Sequence, residues 1–234
     1  MTKNIYRRMY DDDSKNVSLA KSRRVQIIAG LINQMNLQGK KIMDIGCYDG
    51  AQLELIKNRN NAFYGIEASD YGFNKCRDKG INVNNFFFDD KTPLPYENEM
   101  FNLVIAGEII EHIYDTDFFL SEIRRVLNGN GSLLISTPNI ASFGRRILLL
   151  LGKSPLIENS PNEEGSCGHI RYFTFETLKN ILNKHGFEIV KSFSDETNFS
   201  ASGKLRSYIL ARIFPSVGRS IIYLCKKSEI KKVC

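Results

Sequence analysis

Apolar positions recur at three- and four-residue intervals through LAKSRRVQIIAGLINQM, residues 19–35, which predicts an amphipathic helix. Beyond it, short apolar runs alternate with helical stretches. KIMDI (41–45), AFYGIEAS (62–69), INVNNFFF (81–88), FNLVIA (101–106) and GSLLIST (131–137) read as strands. Residues 51–57, 70–80 and 116–127 read as the helices between them, with Gly80 closing the second and NGNG the third. After Pro138-Asn139 the alternation breaks. Residues 140–155 predict a short amphipathic helix, and the following stretch to His169 is polar and loop-like. Order resumes with TFETLKNILNKHG (174–186), where Thr174 and Thr177 both offer N-caps and Gly186 a stop. FEIVKSF (187–193) and SIIYLCKK (220–227) read as two last strands, about 25 residues apart.

Strands separated by helices pair in parallel, because each crossover needs a dozen or more residues. The pattern therefore predicts an α/β, Rossmann-like, doubly wound sheet with helices on both faces, binding ligand beyond the carboxyl ends of its strands. The residues just past those ends are Asp44–Gly50, Glu67, Asp89 and Asp90, Gly107–His112 and Thr137–Asn139. The whole chain, 1–234, is expected to form one domain, with residues 1–37 as an N-terminal helical cap and 139–170 as a substrate lid.

Charge adds an asymmetry to this picture. The formal net charge is +6, but residues 1–24 carry +4, residues 201–234 carry +7 and the body between them −5. Basic ends permit contact with an anionic partner such as a membrane surface, while the acidic body argues against a nucleic-acid track. The longest aliphatic run, residues 147–151, falls far short of the ~20 residues of a membrane span. With no apolar leader at the N-terminus, the expected location is the cytoplasm, with peripheral membrane contact allowed by the basic-then-aliphatic stretch 145–151. Five scattered cysteines without C-x-x-C spacing indicate neither a disulfide framework nor a zinc site, and no metal is expected.

The candidate chemistry starts at GCYDG, Gly46 to Gly50. A dinucleotide loop would read G-x-G-x-x-G and present a helix N-terminus to pyrophosphate. Here the position of the second glycine is Tyr48, the P-loop lysine is missing, and Asp44 and Asp49 flank the turn. Two carboxylates repel pyrophosphate and suit a phosphate-free ligand with an ammonium group and ribose hydroxyls, of which S-adenosylmethionine is one. Glu67, 23 residues after Asp44, stands where a carboxylate accepts ribose hydroxyls in doubly wound folds. Taken singly, Asp49 is equally a helix cap with Gln52 as its capping-box partner, and Glu67 a surface acid.

IMDIGCYDG, YGIEAS, DDKTPLPYENEMFNLVIAGEIIEHI, FLSEIRRVLNGNGSLLISTPN and HIRYFTFETLKNILNKHGFEIV together resemble the class I S-adenosylmethionine-dependent methyltransferases. Within them the likeness is to the subgroup reading E-x-x-E-H after strand four and T-P-N at the end of strand five. The resemblance covers about residues 38–195 and implies a seven-stranded sheet, mostly parallel with one antiparallel strand. It implies that Gly46, Cys47 and Gly50 turn around the methionine part of the cofactor, that Asp44 orients the loop or the amino group, and that Glu67 with Ala68 holds the ribose. Asp89 or Asp90, with Asp89 favoured by its spacing to Pro93-Leu94-Pro95, would accept the adenine amino group. Ala106, Gly107 and Glu108 would flank the methionine moiety. Tyr48 and Asn102 depart from the family's usual Gly and Asp, and Tyr48 suits the turn only at negative φ.

A hydroxyl acceptor needs a base as it attacks the methyl group. His169, before IRYFT, and His112, after strand four, are the candidates; His185 on a helix's last turn is assigned no catalytic role. AGEIIEH stands where enzymes acting on adenine or amide nitrogens carry (N/D)-P-P-(Y/F). The resemblance thus points to a small-molecule, sugar or lipid-linked acceptor, with Arg145, Arg146 and Arg171 available for an anionic group on it. N-methylation of a small amine, a non-catalytic binding protein on the same fold and an NAD-linked oxidoreductase are the alternatives, and oligomeric state is left open.

Overall fold

The structure, a computed structural model, describes residues 19–56, 60–89, 91–156, 168–199 and 205–229. A 3-10 turn (Leu19–Lys21) leads into α1 (Arg23–Gln34). Then come β1 (Lys41–Ile45), α2 (Ala51–Ile56), β2 (Ala62–Glu67), α3 (Asp70–Asp78), β3 (Asn82–Asn85), β4 (Phe101–Gly107), a 3-10 turn (Ile110–His112), α4 (Thr116–Val126) and β5 (Leu127–Pro138). The remainder comprises α5 (Phe143–Leu150), α6 (Phe175–Lys184), β6 (Phe187–Phe193), a ribbon of β7 (Thr197–Asn198) and β8 (Arg206–Ser207), α7 (Tyr208–Ile213) and β9 (Ser220–Lys227).

Seven strands form one sheet in the order β3-β2-β1-β4-β5-β9-β6. The pairs among β1 to β5 are parallel, and β9 runs antiparallel between β5 and β6. This is the expected fold class. Period-two alternation along the central strands divides two cores. Met43, Val104, Ala106, Leu133 and Ile135 face α4 and α6, whereas Ile42, Leu103, Ile105 and Leu134 face α1, α2 and α3. Strand order reverses between β1 and β4, which creates the crevice where ligands bind in such sheets.

Several expected boundaries shift for local reasons. The first helix begins at Arg23, after the 3-10 turn. β3 keeps only Asn82–Asn85, because Phe86 and Phe88 leave the edge for the core, with Phe88 edge-on to Phe119 at 5.2 Å. NGNG does not form a loop; β5 takes it up from Leu127, with a register irregularity opposite Phe101 and Leu103. Thr174 and Thr177 act together as a capping box on α6. The ribbon and α7, within 197–213, have no counterpart in the sequence reading. No described helix is long and apolar enough to cross a membrane.

Candidate functional site

β1 ends at Ile45 between Ile66 of β2 and Ala106 of β4, so its outgoing turn opens over the crevice. Gly46 and Gly50 lie at φ 75° and 73°. The positive φ favours glycine at position 50, where a Cβ would also fall 2.5 Å from Ile81 Cδ1 and displace that side chain's end. Tyr48 also lies in the left-handed region, at φ 46°, which overturns the expectation of a negative φ. What holds it there is hydrogen bonding: its N–H donates to Glu67 Oε2 at 2.8 Å, and its carbonyl accepts from Cys76 Sγ at 3.1 Å.

Glu67 is buried and is the hub of this turn. Besides Tyr48, its Oε1 accepts from the Ala68 N–H, the Ser69 N–H and the Ser69 hydroxyl at 2.9, 2.7 and 2.7 Å. Burial raises its pKa, and the bonds from Ser69, Tyr48 and Ala68 oppose the rise. Asp44 is buried alongside; burial pushes its carboxyl up to about 8, Arg24 opposes this and the charge of Glu67 adds to it. Cys47 is a buried free thiol 3.5 Å from Cys76 Sγ. Asp49 caps α2 through Ala51 N–H, as one of its two readings held. Gln52 is not its capping-box partner, because its amide reaches back to the Val25 carbonyl of α1 instead.

Of the two acids expected at the adenine end, Asp89 is among the described residues. Asp89 is exposed and closes its own turn, accepting from Lys91 N–H, Thr92 N–H and the Thr92 hydroxyl. Those bonds from Thr92 lower its pKa. Asp90 lies outside the described residues. Asn102, where the family has Asp, accepts the Lys41 N–H at 3.0 Å.

On the other side of the crevice, β4 ends in buried Ala106 and then Gly107, whose absent Cβ would meet Arg24 Nη1 at 3.0 Å. Glu108 stands at φ 56°. Its Oε1 accepts from the Ser136 hydroxyl at 3.1 Å and pairs with Arg24 Nε at 3.5 Å. Arg24 thus reaches from α1 over the strand ends, a site residue the sequence reading did not single out. Its only signal is a basic pair, Arg23-Arg24, opening an otherwise apolar helix face.

The 3-10 turn after β4 brings the second acid of E-x-x-E-H under the histidines. Glu111 is buried; its Oε2 accepts from the Thr137 hydroxyl at 2.9 Å, while its Oε1 has no hydrogen-bond partner. Burial and the Glu108 charge raise its pKa well above the carboxylate range. Its carbonyl accepts from the N–H groups of Ile170 and Arg171, which fixes His169 above the turn. His169 Nε2 lies 3.9 Å from Glu111 Oε1, and the His169 and His112 rings are 4.9 Å apart. His112 Nδ1 meets the Gly168 carbonyl at 3.2 Å. The donor atoms of Glu111, His112 and His169 lie within 4.8 Å of one another, a set able to hold a cation although no metal was expected. The structure therefore brings both candidate histidines together, and adds Glu111, which sequence reasoning quoted in the motif but gave no role.

The T-P-N residues build the same corner. Thr137 holds Glu111, and Asn139 donates to the Ser216 and Gly218 carbonyls at 3.0 and 2.8 Å, tying the insert to the segment before β9. Arg171 is engaged by the carbonyls of Ile113 and Tyr114, Arg146 by those of Ala141 and Ser216, and Arg145 by that of Asn139. His185 pairs with Asp117 at 2.6 Å, away from this corner.

A family model described as a methyltransferase domain matches residues 20–192. A ubiquinone biosynthesis O-methyltransferase of Bartonella tribocorum is 22% identical over 163 residues, 68% of this chain and 64% of that protein. The chain thus spans less than two thirds of that relative's length. An uncharacterized protein of Methanocaldococcus jannaschii is 25% identical over 232 residues, covering 93% of this chain and 89% of that one. Among solved structures, a SAM-dependent methyltransferase of Thermotoga maritima superposes with a TM-score of 0.66 at 19% identity, covering 97% and 100% of the two chains. The 1,6-didemethyltoxoflavin N1-methyltransferase of Burkholderia thailandensis, solved with S-adenosylhomocysteine, gives 0.63 at 10% identity, covering 97% and 87%. At those identities the structural likeness speaks for the fold.

Proposed function

The chain belongs to the methyltransferase-domain family, and on that footing we propose that it transfers a methyl group from S-adenosylmethionine to a hydroxyl oxygen of a small-molecule, sugar or lipid-linked acceptor. The E-x-x-E-H and T-P-N residues, joined through Thr137 and Glu111, support the finer subgroup placement. The cofactor, when bound, supplies a methyl group activated by its sulfonium. The crevice suits such a ligand: two buried carboxylates, Asp44 and Glu67, bracket a glycine turn whose own residues, Gly46 to Gly50, include no cation for phosphate. In this reading Asp44 receives the ammonium group, Glu67 exchanges loop N–H groups for ribose hydroxyls, and Arg24 meets the carboxylate end.

The observation that carries the acceptor chemistry is the Glu111–His169 approach at the end of β4. His169 takes the hydroxyl proton as the oxygen attacks, and Glu111 Oε1, 3.9 Å from its Nε2, stabilises the imidazolium that forms; His112, tilted beside it, is the lesser candidate. The O-methyltransferase name of the Bartonella relative favours oxygen over nitrogen. The experiment is calorimetric titration with S-adenosylmethionine, S-adenosylhomocysteine and NAD, followed by labelled-methyl transfer to panels of hydroxylated and amine acceptors. Silence from both adenosyl ligands removes the reading; label appearing only on amines moves it to nitrogen.

The orphaned Glu111 Oε1 favours a second reading of the same corner. A divalent cation held by Glu111, His112 and His169 would anchor the acceptor oxygen and lower its pKa, replacing the histidine base. Its test is metal titration of the chelated protein.

A further inference from the structure

Large apolar side chains are not spread evenly over the surface. Eleven of the fifteen exposed ones among the described residues fall in two segments, 147–156 and 199–214. α5 buries none of its residues, and Leu149, Leu150 and Leu151 are 64%, 81% and 66% exposed. α7 buries only Ala211 and turns Ile209 and Ile213 outward. Helices this short are marginal in water by themselves, and exposed leucines give them no stabilisation there.

Both helices lie against the same ribbon. A Cβ on Gly144 would come 3.2 Å from the Asn198 carbonyl, so α5 rests its backbone on β7, while Phe143 packs on Phe199 at 5.3 Å. Ser207, the last residue of β8, caps α7. Arg146 links the two segments by donating to the Ala141 and Ser216 carbonyls at 2.6 and 3.4 Å.

Their charge is one-sided. Residues 139–156 contain three Lys/Arg and residues 199–219 contain four, with no acid in either segment, although Arg206 and Arg219 pair with Glu196 just outside the second. Lys153 and Arg212 are exposed and form no ion pair among the described residues. Outward leucines and isoleucines flanked by cations match the interface of an anionic bilayer, where apolar side chains enter the acyl boundary and Lys/Arg meet the headgroups. A second copy fits less well, since a two-fold contact would set cation against cation.

We infer that α5 and α7 form a monotopic docking surface for an anionic lipid bilayer. The surface borders the candidate site, because α5 starts five residues past the end of β5 and Asn139 connects the two. An acceptor with a lipid tail would then enter the crevice from the bilayer; this last step alone rests on the methyl-transfer reading.

Flotation of the full chain with phosphatidylcholine vesicles, with and without phosphatidylglycerol, tests the surface with no turnover required, so the two readings fail separately. Binding should need phosphatidylglycerol, weaken with salt, and fall at least about tenfold in L149E/L150E and in I209E. S-adenosylhomocysteine affinity and melting temperature should stay unchanged in those variants. No flotation with anionic vesicles at low salt overturns the proposal, as does binding that survives both variants. A concentration-dependent dimer abolished by the same substitutions would also overturn it, assigning the surface to a second copy.

Discussion

Tyr48 holds a left-handed backbone at φ 46° while donating its N–H to Glu67 Oε2 at 2.8 Å. The conformation costs a non-glycine residue about 1–2 kcal/mol, and a hydrogen bond to a charged group returns about 1.5–3 kcal/mol. The turn is thus balanced by the acid beneath it. Tyr48→Gly relieves the strain but adds unfolded-state entropy, so its stability should stay within about 1 kcal/mol of wild type. Tyr48→Val, β-branched in the same conformation, should cost about 2 kcal/mol or more in urea unfolding. A Val variant as stable as wild type would show that the turn adopts another backbone.

The same balance makes Glu67 the most sensitive position of the turn. Glu67→Ala strands the N–H groups of Tyr48, Ala68 and Ser69 together with the Ser69 hydroxyl. A loss of about 2–4 kcal/mol of stability is expected. Glu67→Gln keeps one acceptor oxygen, and should fold yet bind S-adenosylhomocysteine about 10–100-fold more weakly. Unchanged affinity in that variant would take Glu67 out of ribose recognition.

Asp44, with its carboxyl pushed up to about 8, makes both stability and binding depend on pH. The folded chain holds a proton there that the unfolded chain gives up at its ordinary value of 3.8. Its contribution to stability is therefore complete below that value and is lost as pH rises towards about 8. Asp44→Asn should flatten this decline. An ammonium-bearing ligand prefers the carboxylate, so cofactor affinity should rise with pH up to about 8. Calorimetry in buffers of different ionisation enthalpy should detect proton release on binding near neutral pH. Observed heats that are the same in every buffer, before any correction for buffer ionisation, would separate Asp44 from the ammonium group.

The sheet was legible because β1, β4 and β5 are buried on both faces, leaving apolar runs such as Leu103–Ala106 and, interrupted only by Asp44, Ile42–Ile45. Glycines and acids at their ends then marked the crevice. Glu111 gave no such signal: its importance lies in a buried carboxylate oxygen left without a hydrogen bond, and burial is a product of folding. Arg24 was hidden for a related reason. It acts across 112 residues of sequence on Ser136, a contact that only the packing of α1 over the strand ends creates. The ribbon Thr197–Asn198 with Arg206–Ser207 is two residues deep, too short for alternation to register.

Asn139 illustrates how a motif residue can serve architecture. Its amide donates to two carbonyls just before β9, and its Oδ1 accepts the Ala141 N–H. Asn139→Ala should cost about 1–3 kcal/mol in denaturant unfolding, and Asn139→Asp nearly as much, because a carboxylate cannot donate to the two carbonyls. If both variants unfold like wild type, the insert is held by something other than this side chain.

Glu111 and His169 separate the two accounts of the acceptor chemistry. With histidine as base, His169→Ala should lower turnover by about 10²–10⁴-fold while S-adenosylhomocysteine affinity holds. Glu111→Gln, which keeps the shape and the Thr137 contact but cannot carry charge, should lower it less and shift the pH profile of turnover. Chelator-treated wild type should keep its rate. A rate that vanishes on chelation and returns with magnesium or zinc would transfer the role to a cation held by Glu111, His112 and His169. In that case His112→Ala should be as damaging as His169→Ala, since each removes one ligand, whereas a base mechanism leaves His112→Ala the milder of the two.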